Sequence, residues 1–385
     1  MKTSRRFTLT PTIALVSVLA LSACGSASGD TPTSQDQDDP TSSVLAMPKI
    51  EDSDGLVIDG ETVADAALLE AAREGSVNWV TSSGSDTAEL TAARFTAETG
   101  VPVEVSRLAA TKLNERLLSE AGVGRLSNDV VTIGDPVYAE GLAEKGIFVP
   151  YTDMPSFDEL AGTEDVVWSD GAYYTAFNTV SAIAYNNAAV EPGEAPTSWA
   201  DLLDDRWTGK IGVVSAGAGG AAQGQAAFQE KVLGSDYWTD LAAQKPRLFD
   251  VTSVAMEALA RGEVEVAPAV VNTAFATAQA GAPISIVIPS DGVSGAYNMQ
   301  GLTSAGADNP AAQLFMNWMM SSSGQRFAQA QGFVSARTDF EPVPTGDIQL
   351  PLASDEVFHP YTPEDAQNNG ADVVRRWNAA FGITG

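Results

Sequence analysis

The chain has 385 residues, 44% of them hydrophobic and 18% charged, a length that predicts about two domains. With 21 Lys and Arg against 50 Asp and Glu, the net charge is −29, and no basic block follows Arg6. Recognition of a phosphate backbone needs clustered Lys and Arg, so a nucleic-acid partner is excluded.

The first residues address the chain outward. Lys2, Arg5 and Arg6 precede an apolar run from Ile13 to Leu21, too short for the roughly 20 residues that span a bilayer, so residues 1–23 are expected to be a signal peptide. Leu21-Ser22-Ala23-Cys24 resembles a bacterial lipobox, which implies that Cys24 is lipidated and becomes the first mature residue. It is the only cysteine, which rules out an internal disulfide. Residues 25–43 are Gly, Ser, Thr, Asp, Gln and Pro with almost nothing to bury, and residues 24–55 are expected to be a lipidated, flexible tether.

Helical spacing follows over Glu61 to Glu74, in Val63, Ala67 and Leu68, with Gly75 as the stop. Strand and helix then alternate. Val77 to Thr81 is predicted as a strand, Ser82-Ser83-Gly84-Ser85 as a loop, and Asp86 to Thr99 as a helix with Ala88, Ala92 and Phe95 on one side and Gly100 ending it. Val101, Val103 and Val105 alternate as in a strand; Leu113, Leu117 and Ala121 mark a helix. Asp129 to Ile133 is a third strand, followed by Gly134-Asp135-Pro136 and a helix to Lys145. Such interleaving implies a parallel sheet, whose ligands bind beyond the carboxyl ends of the strands. The loops 82–85 and 134–138, including Tyr138, are therefore candidate ligand contacts.

Tyr173 to Asn186 has strand composition and no helix cap. After it comes the most distinctive stretch, Pro196 to Gly220. Ser198 and Asp201 form a box-like helix start ahead of Leu202 and Leu203. Gly209 stops that segment, Ile211 to Val214 is a strand, and Ser215 to Gly220 is a small-residue loop before a helix near Ala221 to Val232. Such a loop leaves backbone N–H groups facing whatever lies above the sheet. Helices are expected at Trp238 to Ala243 and Ser253 to Arg261, and strands at Val264 to Val271 and Ile284 to Ile288. A helix from Pro310 to Met320 follows, then a loosely patterned tail with a last helix around Asp365 to Phe381.

Pro196-x-Ser198-Trp199-x-Asp201-Leu202-Leu203, then Trp207-x-Gly209-Lys210-Ile211, resembles the second domain of bacterial extracellular solute-binding proteins, in the ferric iron, phosphonate and polyamine branch of the type 2 periplasmic binding protein superfamily. Tyr185-Asn186, Ser323-Gly324-Gln325, Gly332 and Arg337 resemble further motifs of that family, and the likeness covers roughly residues 56–340. It implies an α/β, two-lobed type 2 periplasmic-binding-protein fold, each lobe a mixed sheet flanked by helices and joined by two crossover hinge strands. Lobe one would hold residues 56–177 and 287–385, lobe two residues 178–286, with crossovers near 175–180 and 284–288. The implied function is a monomeric, lipid-anchored solute-binding protein on the outer face of the cytoplasmic membrane. It would capture a small molecule or ion between the lobes and deliver it to the permease subunits of an ATP-driven importer. The alternative is an enzyme or sensor on the same two-lobed fold.

Chemistry of the common nucleophilic kinds lacks parts. His359 is the only histidine and is expected to be a solvated residue of the tail, so neither a Ser/His/Asp arrangement nor a His/Cys zinc site is expected. No catalytic residue, cofactor or resident metal is expected. Asn178, Asn272 and Tyr297 complete the expected ligand contacts, with Ser82, Ser83, Gly84, Ser85, Gly134, Asp135, Tyr138, Ser215, Gly219 and Gly220. Ferric members carry a tyrosine pair after an asparagine, where this chain has Asn272-Thr273-Ala274-Phe275. With no phenol at those two positions, iron would need Tyr138, Tyr173, Tyr174 or Tyr297. An oxyanion-bearing solute such as a phosphonate or phosphate ester stands ahead of a ferric species, and a polyamine is left open.

Overall fold

The protein is described here by a computed structural model, which describes residues 45–383. Residues 1–23 and Cys24, with the signal-peptide and lipidation expectations that fall on them, lie outside the described residues. The described residues open with an antiparallel meander of β1 (Ile50–Glu51), β2 (Leu56–Ile58) and β3 (Glu61–Ala64), followed by α1 (Ala66–Arg73). The first half of the segment expected to be helical is therefore a strand. Asp59 and Gly60 take φ of 47° and 90°, the pair of positive values that a two-residue hairpin turn requires, and α1 starts only at Asp65, whose carboxylate accepts from Leu68 N.

Lobe one continues through β4 (Val77–Thr81), α2 (Ser85–Thr99), β5 (Val103–Arg107), α3 (Ala110–Gly122), β6 (Val130–Ile133) and α4 (Pro136–Glu144). The three strands are parallel in the order β5-β4-β6, as the alternation of elements predicts. A short α5 (Phe157–Ala161) and β7 (Val167–Trp168) lead into β8 (Tyr173–Asn186).

That strand is the spine of the molecule. Its Tyr174–Val180 portion lies in the sheet of lobe one, and its Ser181–Asn186 portion lies in the sheet of lobe two. Lobe two holds β9 (Gly212–Val214), α6 (Gly220–Phe228), α7 (Tyr237–Ala243), β10 (Arg247–Phe249), α8 (Thr252–Ala260), β11 (Val266–Val270), α9 (Val271–Gln279) and β12 (Ile284–Val287). Where one helix was expected after Pro196, the chain folds as two 3₁₀ turns, Ala200–Leu203 and Asp205–Trp207. Ser198 Oγ still accepts from Asp201 N at 3.2 Å, and the Trp199 indole donates to Gly292 O at 2.8 Å.

The return leg begins at β12, which pairs with the lobe-two half of β8. Its passage into lobe one is β13 (Val293–Leu302), antiparallel to both β8 and β6. Sequence pattern does not mark β13, because glycines interrupt it. A Cβ at Gly295 would lie 2.1 Å from the Phe358 ring and one at Gly301 2.5 Å from the Phe148 ring, so close ring packing replaces the β-branched residues that signal a strand.

Lobe one is completed by α10 (Pro310–Met320), α11 (Ser322–Ala330) and β14 (Val334–Ser335). The motif residues here act as rivets. Gln325 is fully buried; its amide donates to Ala176 O and Met319 O and accepts from Ser335 and from Ala336 N. The tail then forms β15 (Phe358–Tyr361), parallel to β13, and α12 (Pro363–Ala380), which opens with a capping box between Thr362 and Asp365. From a segment expected to complete lobe one, α12 sends Val373 and Trp377 into the apolar core built by Trp199, Trp207 and Phe228 of lobe two.

Candidate functional site

The carboxyl ends of β4 and β6 place the two lobe-one loops side by side. Ser82 N donates to Thr132 O at 2.9 Å, and Ser82 Oγ accepts from Gly134 N at 2.8 Å. Ser83 N turns back to Thr81 Oγ1, while Ser83 Oγ is buried with no hydrogen-bond partner. Gly84 caps α2 without a side chain to take the first-turn N–H groups, and Ser85 is exposed at the helix start. The equivalent start of α4 is occupied by its own chain: Asp135 accepts from Val137 N and Tyr138 N at 3.0 and 3.2 Å. Burial pushes its carboxyl above the ordinary range, against the pull of those two N–H groups. Tyr138 is half-buried against the core between α3 and α4, its hydroxyl 3.5 Å from Thr111 Oγ1.

From lobe two, Ser215 accepts from Gly217 N at 3.3 Å and so caps its own turn. Gly219 precedes α6 and offers no side-chain cap. Gly220 then meets lobe one directly, since a Cβ there would lie 2.9 Å from Gly134 O. A Cβ at Gly134 would in turn lie 3.2 Å from Asn298 Oδ1. Ser82, Gly134, Asn298 and Gly220 thus converge, and the space left among Gly134, Asp135, Gly220, Gln223, Tyr297 and Tyr361 is about 10 Å³, on the order of one water.

The remaining expected contacts lie toward the hinge. Asn272 is in the first turn of α9, where its backbone stands against Gly332, and its Oδ1 is buried without a partner. Asn178 faces Tyr297 across the β8–β13 pair, and its Oδ1 is likewise unpartnered. The Tyr297 hydroxyl donates to Asp165 Oδ2 at 2.6 Å, and burial, reinforced by that carboxylate, raises its pKa. Of the expected residues, the structure joins Ser82, Gly134 and Gly220 at one point, sets Asn178 and Tyr297 together at the hinge, and places Asn272 on the other edge of β8.

Three residues at the junction were not picked out from sequence. Asn298 lies in the unmarked strand β13. Tyr361 and Gln223 bond to each other at 3.1 Å, and Gln223 also donates to Gly370 O at 3.1 Å. Burial pushes the Tyr361 phenol up to about 12. The Thr362-Pro363-Glu364-Asp365 helix start was the signal that the tail is ordered there. His359 is correspondingly half-buried in β15, its ring 5.2 Å from that of Phe228, and not a solvated tail residue. Burial, aided by Lys231, holds it below its ordinary pKa.

Residues 91–351 match the model of the family described as bacterial extracellular solute-binding protein. The chain belongs to that family. Among curated proteins, Iron uptake protein A1 of Synechocystis sp. (strain ATCC 27184 / PCC 6803 / Kazusa) is 31% identical over 119 residues, 31% of this chain. The chain thus spans about a third (32%) of the length of that relative. Solved structures extend the likeness in fold. Iron-bound HitA from Pseudomonas aeruginosa superposes with a TM-score of 0.61 at 20% identity, over 80% of this chain and 99% of that one. The substrate binding protein of the ABC transporter from Agrobacterium tumefaciens gives a TM-score of 0.66 at 15% identity, over 80% and 94%. AfuA from Actinobacillus pleuropneumoniae, with exogenous fructose-6-phosphate bound, gives 0.61 at 18% identity, over 81% and 100%. This family member therefore has the two-lobed periplasmic-binding-protein fold, with mixed sheets flanked by helices.

Proposed function

We propose that the protein captures a small oxyanion-bearing solute, such as a phosphonate or phosphate ester, between its lobes and delivers it to the permease of an ABC importer. It binds and releases its solute unchanged. The observation that carries the ligand class is that α2 and α6, the helices that follow the loops Ser82–Ser85 and Ser215–Gly220, start behind glycine caps with no side chain on their first N–H groups. Such starts favour a negative oxygen group, and the unpartnered Ser83 hydroxyl adds a donor beside one of them. The Gly134–Gly220 contact serves as the stop at which closure ends, with the anion held beside it and water excluded.

A ferric ligand is less well served. Ala274 is fully buried and Phe275 rests against Gly346, so the positions of the family's tyrosine pair supply no oxygen. Tyr173, Tyr174 and Tyr297 donate their hydroxyls to Glu140, Tyr151 O and Asp165, and burial raises all three phenols, which keeps them protonated. Ligand-depleted protein is the test. Phosphonates and phosphate esters are expected to raise the melting temperature, and ferric citrate is not; the reverse pattern would overturn the oxyanion reading. Anchoring through Cys24 belongs to the same proposal: Cys24→Ala is expected to move the protein from the membrane pellet to the supernatant, and retention after a high-salt wash would argue for another anchor.

A further inference from the structure

Residues 45–54 form a strap on the outside of lobe one, ahead of the buried strand β2. Little apolar surface holds it down: Leu45 and Ile50 are half-buried against the core, while Met47, Lys49 and Glu51 are exposed. Along its length the strap is fastened at the surface. Lys49 N donates to Asp59 Oδ1 at 2.8 Å and Lys49 O accepts from Asp59 N at 2.9 Å, the two residues of β1 pair with β2, and Arg73 meets Asp52 at 2.8 Å in an exposed ion pair. Exposed pairs of that kind contribute little.

The first end is held differently. Midway along α2, Arg94 and Glu98 form an ion pair whose side chains are 1% and 0% exposed. Arg94 Nη1 donates to Leu45 O at 2.5 Å and Nη2 to Ala46 O at 2.8 Å. Glu98 Oε2 accepts from the Trp318 indole at 2.7 Å and from the Ser323 hydroxyl at 2.8 Å. A buried charge pair is destabilising unless its remaining donors and acceptors are met. For the guanidinium, the strap's two carbonyls meet them, in the planar fork that arginine offers and lysine does not. Burial of the pair and docking of the strap are therefore one event.

Between Cys24 and Arg73, Lys49 is the only Lys or Arg, so a protease that cuts after basic residues has one place to sever the body from Cys24. The Lys49 side chain is 77% exposed, but cleavage requires the local backbone to open first, and its N–H and C=O are both bonded to Asp59. We propose that the Arg94–Glu98 pair is a clasp that keeps the strap closed over Lys49 and so guards the body of the protein against shedding by a trypsin-like protease. The clasp stands on these contacts alone; its consequence at the membrane rests on the proposed anchoring through Cys24.

Trypsin digestion of the soluble full-length chain carrying Cys24→Ala, followed through the product that begins at Ile50, measures strap opening. Arg94→Lys keeps a charge opposite Glu98 but gives up the fork, and is expected to speed the cut at Lys49 at least tenfold, with body sites such as Arg261 cut no faster than in the parent. Arg94→Met combined with Glu98→Gln removes both charges, leaves an acceptor for Trp318 and Ser323, and is expected to do the same. Asp52→Asn is expected to stay within about threefold of the parent. A rate at Lys49 unmoved by both Arg94 variants, or raised as much by Asp52→Asn, overturns the proposal. So does a rise at the body sites in step with Lys49, which would make the pair a support of the whole lobe. On membranes from cells expressing the unaltered chain, the same cut is expected to move the body from pellet to supernatant. A cut without release fails the anchoring reading and leaves the clasp; release at a rate indifferent to Arg94 fails the clasp and leaves the anchor.

Discussion

The loops Ser82–Ser85 and Ser215–Gly220 are alike in composition and in position, each joining the carboxyl end of a strand to a helix start, yet they spend their hydroxyls differently. In the first, Ser82 is wired across to Gly134 N, and its neighbour Ser83 is left buried and unpartnered. In the second, Ser215 turns inward onto Gly217 N, and what it presents to the other lobe is the bare backbone of Gly220. A small-residue loop thus reads the same in sequence whether its side chains or its missing side chains do the recognition. The distinction lies in neighbours more than 50 residues away.

The sharpest way to break the comparison is Gly220→Val. Its Cβ would stand 2.9 Å from Gly134 O, a backbone atom that cannot move aside. Overpacking of this kind costs about 1–3 kcal/mol, so affinity for the cognate solute is expected to fall by about 10- to 100-fold, and the radius of gyration at saturation is expected to stay that of the ligand-free protein. Ser83→Ala ranks next. Loss of a hydroxyl donor to a charged ligand costs about 1.5 kcal/mol or more, roughly tenfold in affinity, with the melting temperature unchanged or raised because an unpartnered polar atom is removed. Ser215→Ala should show the opposite partition: about 1 kcal/mol of stability lost with the turn cap and affinity within about threefold of the parent, read by denaturant unfolding and calorimetry on the same samples.

The smallest effect concerns α4, whose start beside the lobe-one loops is filled by Asp135. Burial raises the Asp135 carboxyl above its ordinary 3.8 in the folded state. Below that value both states hold the proton and no stability is lost; as pH rises from there through the folded pKa, the unfolded state ionises first and the folded state loses ground. Asp135→Asn keeps an acceptor at the cap but not the titration. Its stability relative to the parent is therefore expected to grow from pH 3.8 upward and then level off, and a gap that shrinks with pH would show that the two N–H bonds outweigh burial.

Much of the fold was legible because local signals agreed. Pro310–Met320 and Tyr173–Asn186 carry their own boundaries in proline, turn residues and apolar periodicity, and they appear with those bounds. Asp59-Gly60 is a local hairpin signal masked by the helical spacing of Val63, Ala67 and Leu68; the turn dictates β3, and Asp65 restarts the chain as helix. Strand β13 was not legible, since its residues are chosen by the rings of Phe358 and Phe148 and not by strand propensity. For the site, sequence supplied the loops but not their wiring. Nothing local distinguishes Ser82 from Ser83, and Asn298 and Tyr361 become junction residues only when distant segments pair.

The return of α12 to lobe two has a mechanical consequence. Two linkers would leave one lobe free both to rock and to swivel about the line joining them. Here the chain crosses a further time, from β15 on lobe one into a helix whose Trp377 is buried in lobe two. A swivel about the first two crossings would have to carry Trp377 against its apolar seat among Trp199, Trp207 and Phe228. In the closure proposed above, the covalent chain itself therefore opposes swivelling before any solute arrives.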